Sequence, residues 1–255
     1  MMKRFARALR SAARYVENPQ LVGLRRRGVM PALFERLDCP WFHDLGIATV
    51  LDIGAYNGRF AETLLALLPQ ARVYSFEPLE DLFKELERRA TRVSRLIPFN
   101  HGLGDAAVDK TLHRHGFAAS SSLFTMTDLH KTAFPGTGDS EPVTIRLERL
   151  DAIATELVLT PPVLVKIDVQ GFEDRVLSGG EDTIRRSSVI IIETSFAPLY
   201  DGQPLFRDIR RRLEGWGFSY GGSVGQNRSA VTGEVLQEDS LFIRDAPPQS
   251  MSRSE

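Results

Sequence analysis

From Thr49 onward, short apolar runs alternate with amphipathic helical stretches, and this alternation constrains the chain to a parallel α/β sheet covered by helices. The first run is Thr49-Val50-Leu51-Asp52-Ile53-Gly54-Ala55. It is followed by Phe60, Ala61, Leu64, Leu65 and Leu68 at helical spacing, with Pro69 just beyond. A second strand is predicted over Arg72 to Phe76, closed by Glu77-Pro78. The next helix carries Leu79, Leu82, Phe83 and Leu86, and a third strand runs from Ser94 to Phe99. Later come a strand at Val163 to Asp168, a helix over Phe172 to Leu177 stopped by Gly179-Gly180, and the run Val189 to Ile192. Four consecutive β-branched residues mark that last run as a central strand buried on both faces. Pro204 opens a helix with Leu205, Phe206, Ile209, Leu213 and Trp216, and Phe218 to Val224 and Leu241 to Arg244 read as closing antiparallel strands. Residues 106 to 148 are less regular. Ser120-Ser121-Ser122 and Phe134 to Gly138 read as loop, Val143 to Leu147 as a strand, and the whole stretch as a variable, substrate-facing insertion.

Residues 1 to 45 form a basic helical preface to a domain over 46–245, and the Pro- and Ser-rich tail 246–255 is expected to be disordered. Lys3, Arg4, Arg7, Arg10 and Arg14 are interleaved with Phe5, Leu9 and alanines. That pattern suits a solvated helix, a basic helix touching an anionic membrane or a protein partner, or an imitation of a mitochondrial transit peptide. Arg25-Arg26-Arg27 closes with Gly28, and Pro31 starts a further short helix. No apolar run approaches the roughly 20 residues that span a bilayer, and none has the form of a secretory signal, so a cytoplasmic location is expected. The formal net charge of −1 offers no basic field to draw in nucleic acid. Cys39 is the only cysteine, which excludes an internal disulfide and a cysteine-rich zinc site, and it lies outside every motif that carries chemistry.

Those motifs sit at strand ends. Asp52-Ile53-Gly54-Ala55-Tyr56-Asn57-Gly58 joins a strand to a helix through a glycine-containing turn, at the edge where ligands bind in open parallel sheets. A pyrophosphate site would need Gly-x-Gly-x-x-Gly, but bulky Tyr56 fills the close-approach position between Gly54 and Gly58. The turn therefore suits a cofactor without a pyrophosphate, although such a turn also serves purely structural ends. Glu77 closes the second strand, where an acid accepts hydrogen bonds from a ribose diol. It also suits a helix N-terminus on dipole grounds alone. In Lys166-Ile167-Asp168-Val169-Gln170-Gly171-Phe172-Glu173, Lys166 and Asp168 fall on one face at a strand's carboxyl end, and Glu193 ends the next strand. Charges there need partners or a ligand. A structural ion pair of Lys166 with Asp168 or Glu193 is compatible with either role.

Taken in order, these pieces resemble the FkbM-type family of S-adenosylmethionine-dependent methyltransferases: Val50 to Ala55 with Gly58, Phe76-Glu77-Pro78, Gly102-Leu103-Gly104-Asp105, Leu150-Asp151, Lys166 to Glu173, and Ile190 to Glu193. The resemblance implies a Rossmann-like class I methyltransferase fold, a mostly parallel seven-stranded sheet with one antiparallel strand and helices on both faces. It implies S-adenosylmethionine as cofactor. Gly54, Ala55 and Gly58 would shape the methionine end of its pocket, Glu77 would hold the ribose, Asp105 would lie near the adenine, Asp52 and Tyr56 would complete the cofactor-binding set, and Asp168 would face the transferring methyl. The family methylates oxygen on sugars, glycans or natural products. The chain departs from the family pattern at Tyr56, where Asn is usual, and at Gln170, where Glu is frequent.

Methyl transfer to an alcohol depends on positioning and on removal of the hydroxyl proton. Asp168 or Glu193, with Lys166 tuning the carboxylate, is the expected catalytic set, and His101, His113, His115 and His130 are rival bases. His113 and His115 would share a face of a strand, but two histidines do not make a metal site, and none is expected. The motif by which DNA-base methyltransferases hold a flipped base is absent, Asp168-Val169-Gln170-Gly171 standing in its place. A catalytically weak relative and a nicotinamide-dependent oxidoreductase are the alternatives.

Overall fold

The computed structural model describes residues 13, 15–115, 120–134, 136–137 and 140–245. The basic segment up to Arg14 and the tail from residue 246, for which a surface-binding helix and disorder were expected, lie outside the described residues apart from Ala13.

A seven-stranded sheet forms the centre. Its strands are β1 (Thr49–Ile53), β2 (Arg72–Phe76), β3 (Leu96–Phe99), β7 (Val163–Ile167), β8 (Val189–Ser195), β9 (Phe218–Arg228) and β10 (Val235–Arg244), in the order β3-β2-β1-β7-β8-β10-β9. β10 pairs antiparallel with both β8 and β9, and is the one strand that runs against the others. The closing strands are longer than their apolar residues suggest, because polar residues continue both ladders. The third strand starts at Leu96 rather than Ser94.

The chain reverses direction of growth between β1 and β7, which are adjacent although a long stretch separates them. This is the switch point at which open α/β sheets bind ligands. One face of the sheet (Val50, Val73, Leu164, Val189, Ile191, Leu241) packs against Leu64 and Leu65 of the Arg59–Leu67 helix and against Leu21, Leu33, Phe34, Leu37 and Phe42 of the preface. The other face (Leu51, Ile53, Val165, Ile167, Ile190, Phe242) packs against Val176 and Leu177 of the Glu173–Gly179 helix and Ile209 and Leu213 of the Phe206–Gly215 helix.

After helical residues 15–17, the described preface holds three short helices, Gln20–Arg26, Pro31–Leu37 and Pro40–Asp44. They are part of the domain's core rather than an appendage, since Leu21, Leu37 and Phe42 are buried. Each such side chain contributes about 1.5–3 kcal/mol. Polar ties fix their register: the Met30 amide donates to Thr63 Oγ1 (2.9 Å), and Arg36 Nη1 donates to the Val224 carbonyl (2.9 Å).

The stretch expected to be less regular holds two strands, one of them around the expected Val143 to Leu147 and one not foreseen. β5 (Val108–His115) pairs antiparallel with β6 (Ser140–Glu148), and β4 (Gly102–Leu103) adds in parallel to β6. β5 hides from sequence reading because six of its eight residues are polar or charged, so no apolar alternation marks it. A short helix, Asp128–Ala133, lies between β5 and β6, capped by the Thr127 hydroxyl.

Candidate active site

The register of the sheet collects acids in one row. Ser75, Asp52, Lys166, Ile191 and Leu241 pair in turn across β2, β1, β7, β8 and β10. Two residues further along the parallel strands, on the same face, stand Glu77, Gly54, Asp168 and Glu193, and Glu193 is opposed on β10 by Asp239. Three acids therefore lie on one side of Gly54 and one on the other. They line a cavity of about 400 Å³ at the carboxyl edge of the sheet. Met30, Leu33 and Arg36 of the preface wall it on one side, and Leu112, Ile145 and Leu147 of the small sheet on another.

The turn after β1 is shaped by backbone. Gly54 has φ +75°, and a Cβ there would stand 1.9 Å from the Asp168 carbonyl oxygen. The amides of Gly54 and Ala55 both donate to the Phe76 carbonyl (3.1 and 2.9 Å). Tyr56 adopts a left-handed conformation, φ 52°, uncommon for a bulky residue. It is held by its N–H donating to Glu77 Oε2 (2.8 Å), while Leu79 N–H donates to Glu77 Oε1 (2.9 Å). Each Glu77 oxygen keeps a further lone pair toward the cavity. Burial pushes the Glu77 carboxyl up to about 7, against the pull of those two amides. Beside it, Asn57 lines the cavity with a buried Oδ1 that has no hydrogen-bond partner among the described residues.

Lys166 organises the centre. Its ammonium donates to the Gly54 carbonyl (2.6 Å) and lies 3.5 Å from Asp52 Oδ1 and 3.6 Å from Asp168 Oδ2, above the ring of Phe60. Burial opposes the charge, but Asp168, Asp52 and Asp239 outweigh it and hold the lysine above its ordinary range. Asp52 is fully buried and accepts from Ser75 Oγ (3.1 Å); burial raises its carboxyl despite Lys166. It does not line the cavity, so it reaches the site only through Lys166.

Gln170, φ 55°, bridges the acids: its Nε2 donates to Asp168 Oδ1 (2.8 Å) and Glu193 Oε2 (2.7 Å), and its Oε1 accepts from the Tyr200 hydroxyl (2.9 Å). Gln237 Nε2 also donates to Glu193 Oε2 (3.0 Å). Burial, followed by the charges of Asp168, Glu173 and Asp239, raises the Glu193 carboxyl well above its usual range. Glu173 ties the turn from beneath, its Oε1 accepting from the amides of Val169 (3.2 Å) and Gly171 (3.1 Å).

A model of the methyltransferase FkbM domain matches residues 52–220. The chain belongs to the FkbM methyltransferase family. It is 26% identical over 193 residues to the 2-O-methyltransferase NoeI of Sinorhizobium fredii, covering 73% of this chain and 77% of NoeI. It is 27% identical over 143 residues to the hexuronic acid methyltransferase AglP of Haloferax volcanii, covering 56% of this chain and 54% of AglP. The crystal structure of methyltransferase FkbM from Methylobacillus flagellatus KT superposes with a TM-score of 0.49 at 15% identity, over 91% of this chain and 60% of that one. The present chain thus spans little more than half of AglP and less than two thirds of that structure.

Of the residues expected to form an FkbM site, Gly54, Ala55, Tyr56, Glu77, Lys166, Asp168 and Glu193 line the cavity. Gly58 does not, but its φ of +80° and close approach to Leu86 set the start of the following helix. Asp105 does not line the cavity: Arg175 Nη1 holds its carboxylate at 2.9 Å, and Arg149 Nη1 ties its carbonyl at 2.8 Å. None of His101, His113, His115 and His130 lines it either. His130 packs its ring 5.0 Å from that of Tyr200, and burial, with His115 nearby, lowers it to about 4. Among the described residues no group of three or more His, Cys, Asp or Glu could hold a metal ion. The serine triplet is mainly a clasp. Ser122 Oγ donates to the Gln170 carbonyl (2.5 Å), the Ser120 carbonyl accepts from Tyr200, and only Ser121 faces the cavity. Cys39 lies outside it, before the Pro40–Asp44 helix. No described helix is long and apolar enough to cross a membrane. Sequence reading missed Arg36 and Asp239 and left Asn57 without a role. Asn57 adjoins a residue singled out, whereas the other two join the site only through tertiary packing.

Proposed function

We propose that the chain transfers a methyl group from S-adenosylmethionine to a hydroxyl oxygen of a sugar or glycan. The observation that carries this reading is the split acid row: Glu77 stands on one side of Gly54, and Asp168, Glu193 and Asp239 on the other, in one cavity.

The residues on the Glu77 side fit the cofactor. Glu77 offers two carboxylate oxygens with spare acceptor capacity for a ribose diol. The orphaned Asn57 Oδ1 matches the ammonium of a methionine end. Pro78, Leu79, Leu82 and Leu103 supply an apolar slot for a base. When bound, the cofactor supplies an electrophilic methyl on a sulfonium.

The far side suits a polyol. Asp168 and Glu193, held by Gln170 and balanced by Lys166, accept hydrogen bonds from hydroxyl groups and fix them at attack distance. NoeI and AglP are a 2-O-methyltransferase and a hexuronic acid methyltransferase, which supports a carbohydrate acceptor.

Calorimetric titration with S-adenosylhomocysteine, with NADH in parallel, tests the reading. Saturable binding of the former alone, abolished in Glu77→Ala, is expected. Binding of NADH alone, or of neither, would refute it.

A further inference from the structure

The acid row contains one group whose acceptor capacity the protein leaves untouched. Asp168 accepts from Gln170, and Glu193 accepts from Gln170, Gln237 and Asn227. Asp239 lines the same cavity, half-buried, and among the described residues no N–H or O–H donates to its carboxylate. Its oxygens are not sealed off but open to the cavity, so they are free to accept from a hydroxyl bound there. Its place is made for it. A Cβ on Gly225, on the neighbouring strand, would stand 2.5 Å from Asp239 Oδ2 and 3.1 Å from Arg36 Nη1, so the glycine leaves room where both charged groups meet the cavity.

We propose that Asp239 receives the proton of the acceptor hydroxyl, Asp168 and Glu193 acting as positioning groups beside it; this rests on the methyl-transfer reading above. Transfer to an alcohol forms an O–C bond, breaks the donor's S–C bond with its electron pair left on sulfur, and releases one proton. That proton passes from the hydroxyl to a carboxylate oxygen of Asp239, which becomes the neutral acid. Burial, then the charge of Asp168, brings the Asp239 carboxyl to about 6, against the opposing pull of Lys166 and Arg36 and with Glu238 adding repulsion from its own strand. Glu193 faces it across the β8–β10 ladder. A base with a conjugate acid in that range is ionised at neutral pH and still basic enough to take the proton.

The test joins a chain-level readout to kinetics. In the cofactor-free chain, 13C-carboxyl NMR, assigned with Asp239→Asn, is expected to show Asp239 titrating near 6. With methyl glycosides of common hexoses and hexuronic acids as probe acceptors, kcat of Asp239→Asn should fall about 100-fold and lose the decline below pH 6, with S-adenosylhomocysteine affinity changed less than about threefold. Gly225→Ala, which crowds the carboxylate without removing it, should lower kcat in the same direction. An Asp239 that titrates at about 4, in the ordinary range, or an Asp239→Asn enzyme with wild-type kcat and pH profile, would overturn the proposal. Failure of the wild-type chain to bind S-adenosylhomocysteine would instead sink the methyl-transfer reading itself.

Discussion

A Cβ on Gly54 would overlap the carbonyl oxygen of Asp168, at 1.9 Å, so the ends of β1 and β7 close to a distance only glycine permits. The φ of +75° adds a second reason. Gly54→Ala must push the Asp168 turn away, and backbone cannot rotate aside as a side chain can. A loss of about 3 kcal/mol is expected in urea unfolding, with S-adenosylhomocysteine binding lost in whatever fraction still folds.

Lys166 and Asp52 form a pair within the sheet, 3.5 Å apart, with side chains 7% and 0% exposed. Removing one partner of such a pair costs about 3–5 kcal/mol because the other is left charged and uncompensated. Lys166→Met should therefore destabilise the chain by about that much in urea. The double variant Lys166→Met with Asp52→Asn should recover part of the loss. If the double variant is no more stable than Lys166→Met, the ion pair is not what Lys166 contributes.

Gln170 is neutral between two acids and donates to both. Gln170→Glu, which moves toward the more frequent residue of the family, removes two donors and adds a third negative charge. The variant should lose about 2 kcal/mol at pH 8 and less at pH 5, where the introduced carboxyl, once protonated, can donate one hydrogen bond. Thermal melts of both proteins at the two pH values provide the comparison.

The buried carboxyls of Glu77 and Glu173 both lie near 7, against 4.5 for an ordinary glutamate. The folded chain then binds more protons than the unfolded one between those values, so their contribution is greatest below 4.5 and is lost as pH rises to 7. Each is worth at most about 3 kcal/mol. His130, lowered to about 4 by burial, works the other way, but only below its ordinary value of 6.5. The clean window is therefore about pH 6.5 to 8, where the urea midpoint of the cofactor-free chain should fall as pH rises. Glu77→Gln should reduce that slope. A midpoint that rises across the window would contradict the assignment.

Where apolar runs end in charged residues, the sequence is legible. β1, β7 and β8 are announced by valines, leucines and isoleucines and β2 by Val73, Tyr74 and Phe76, and their terminal acids and lysine meet because parallel register aligns strand ends. Of β10 only the end, Leu241 to Arg244, is announced. Its middle, Gln237-Glu238-Asp239-Ser240, is polar, and only pairing with β8 places Asp239 opposite Glu193. Arg36 is equally silent, since nothing local indicates that a helix before the first strand folds over the strand ends. Asp105 is the reverse case: its motif is recognisable, but its partner Arg175, far along the chain, is not.

The strand order has a practical corollary for anyone trimming the protein. The family match begins at residue 52 and stops at residue 220, early in β9. β10 lies between β8 and β9 rather than at the rim, so a fragment cut to those limits would lose an interior strand and strand the remnant of β9 with no neighbour. It would also discard Met30, Leu33 and Arg36 from one wall and Asp239 from the floor. The smallest piece able to enclose a small molecule is therefore wider than the span by which its ancestry is recognised.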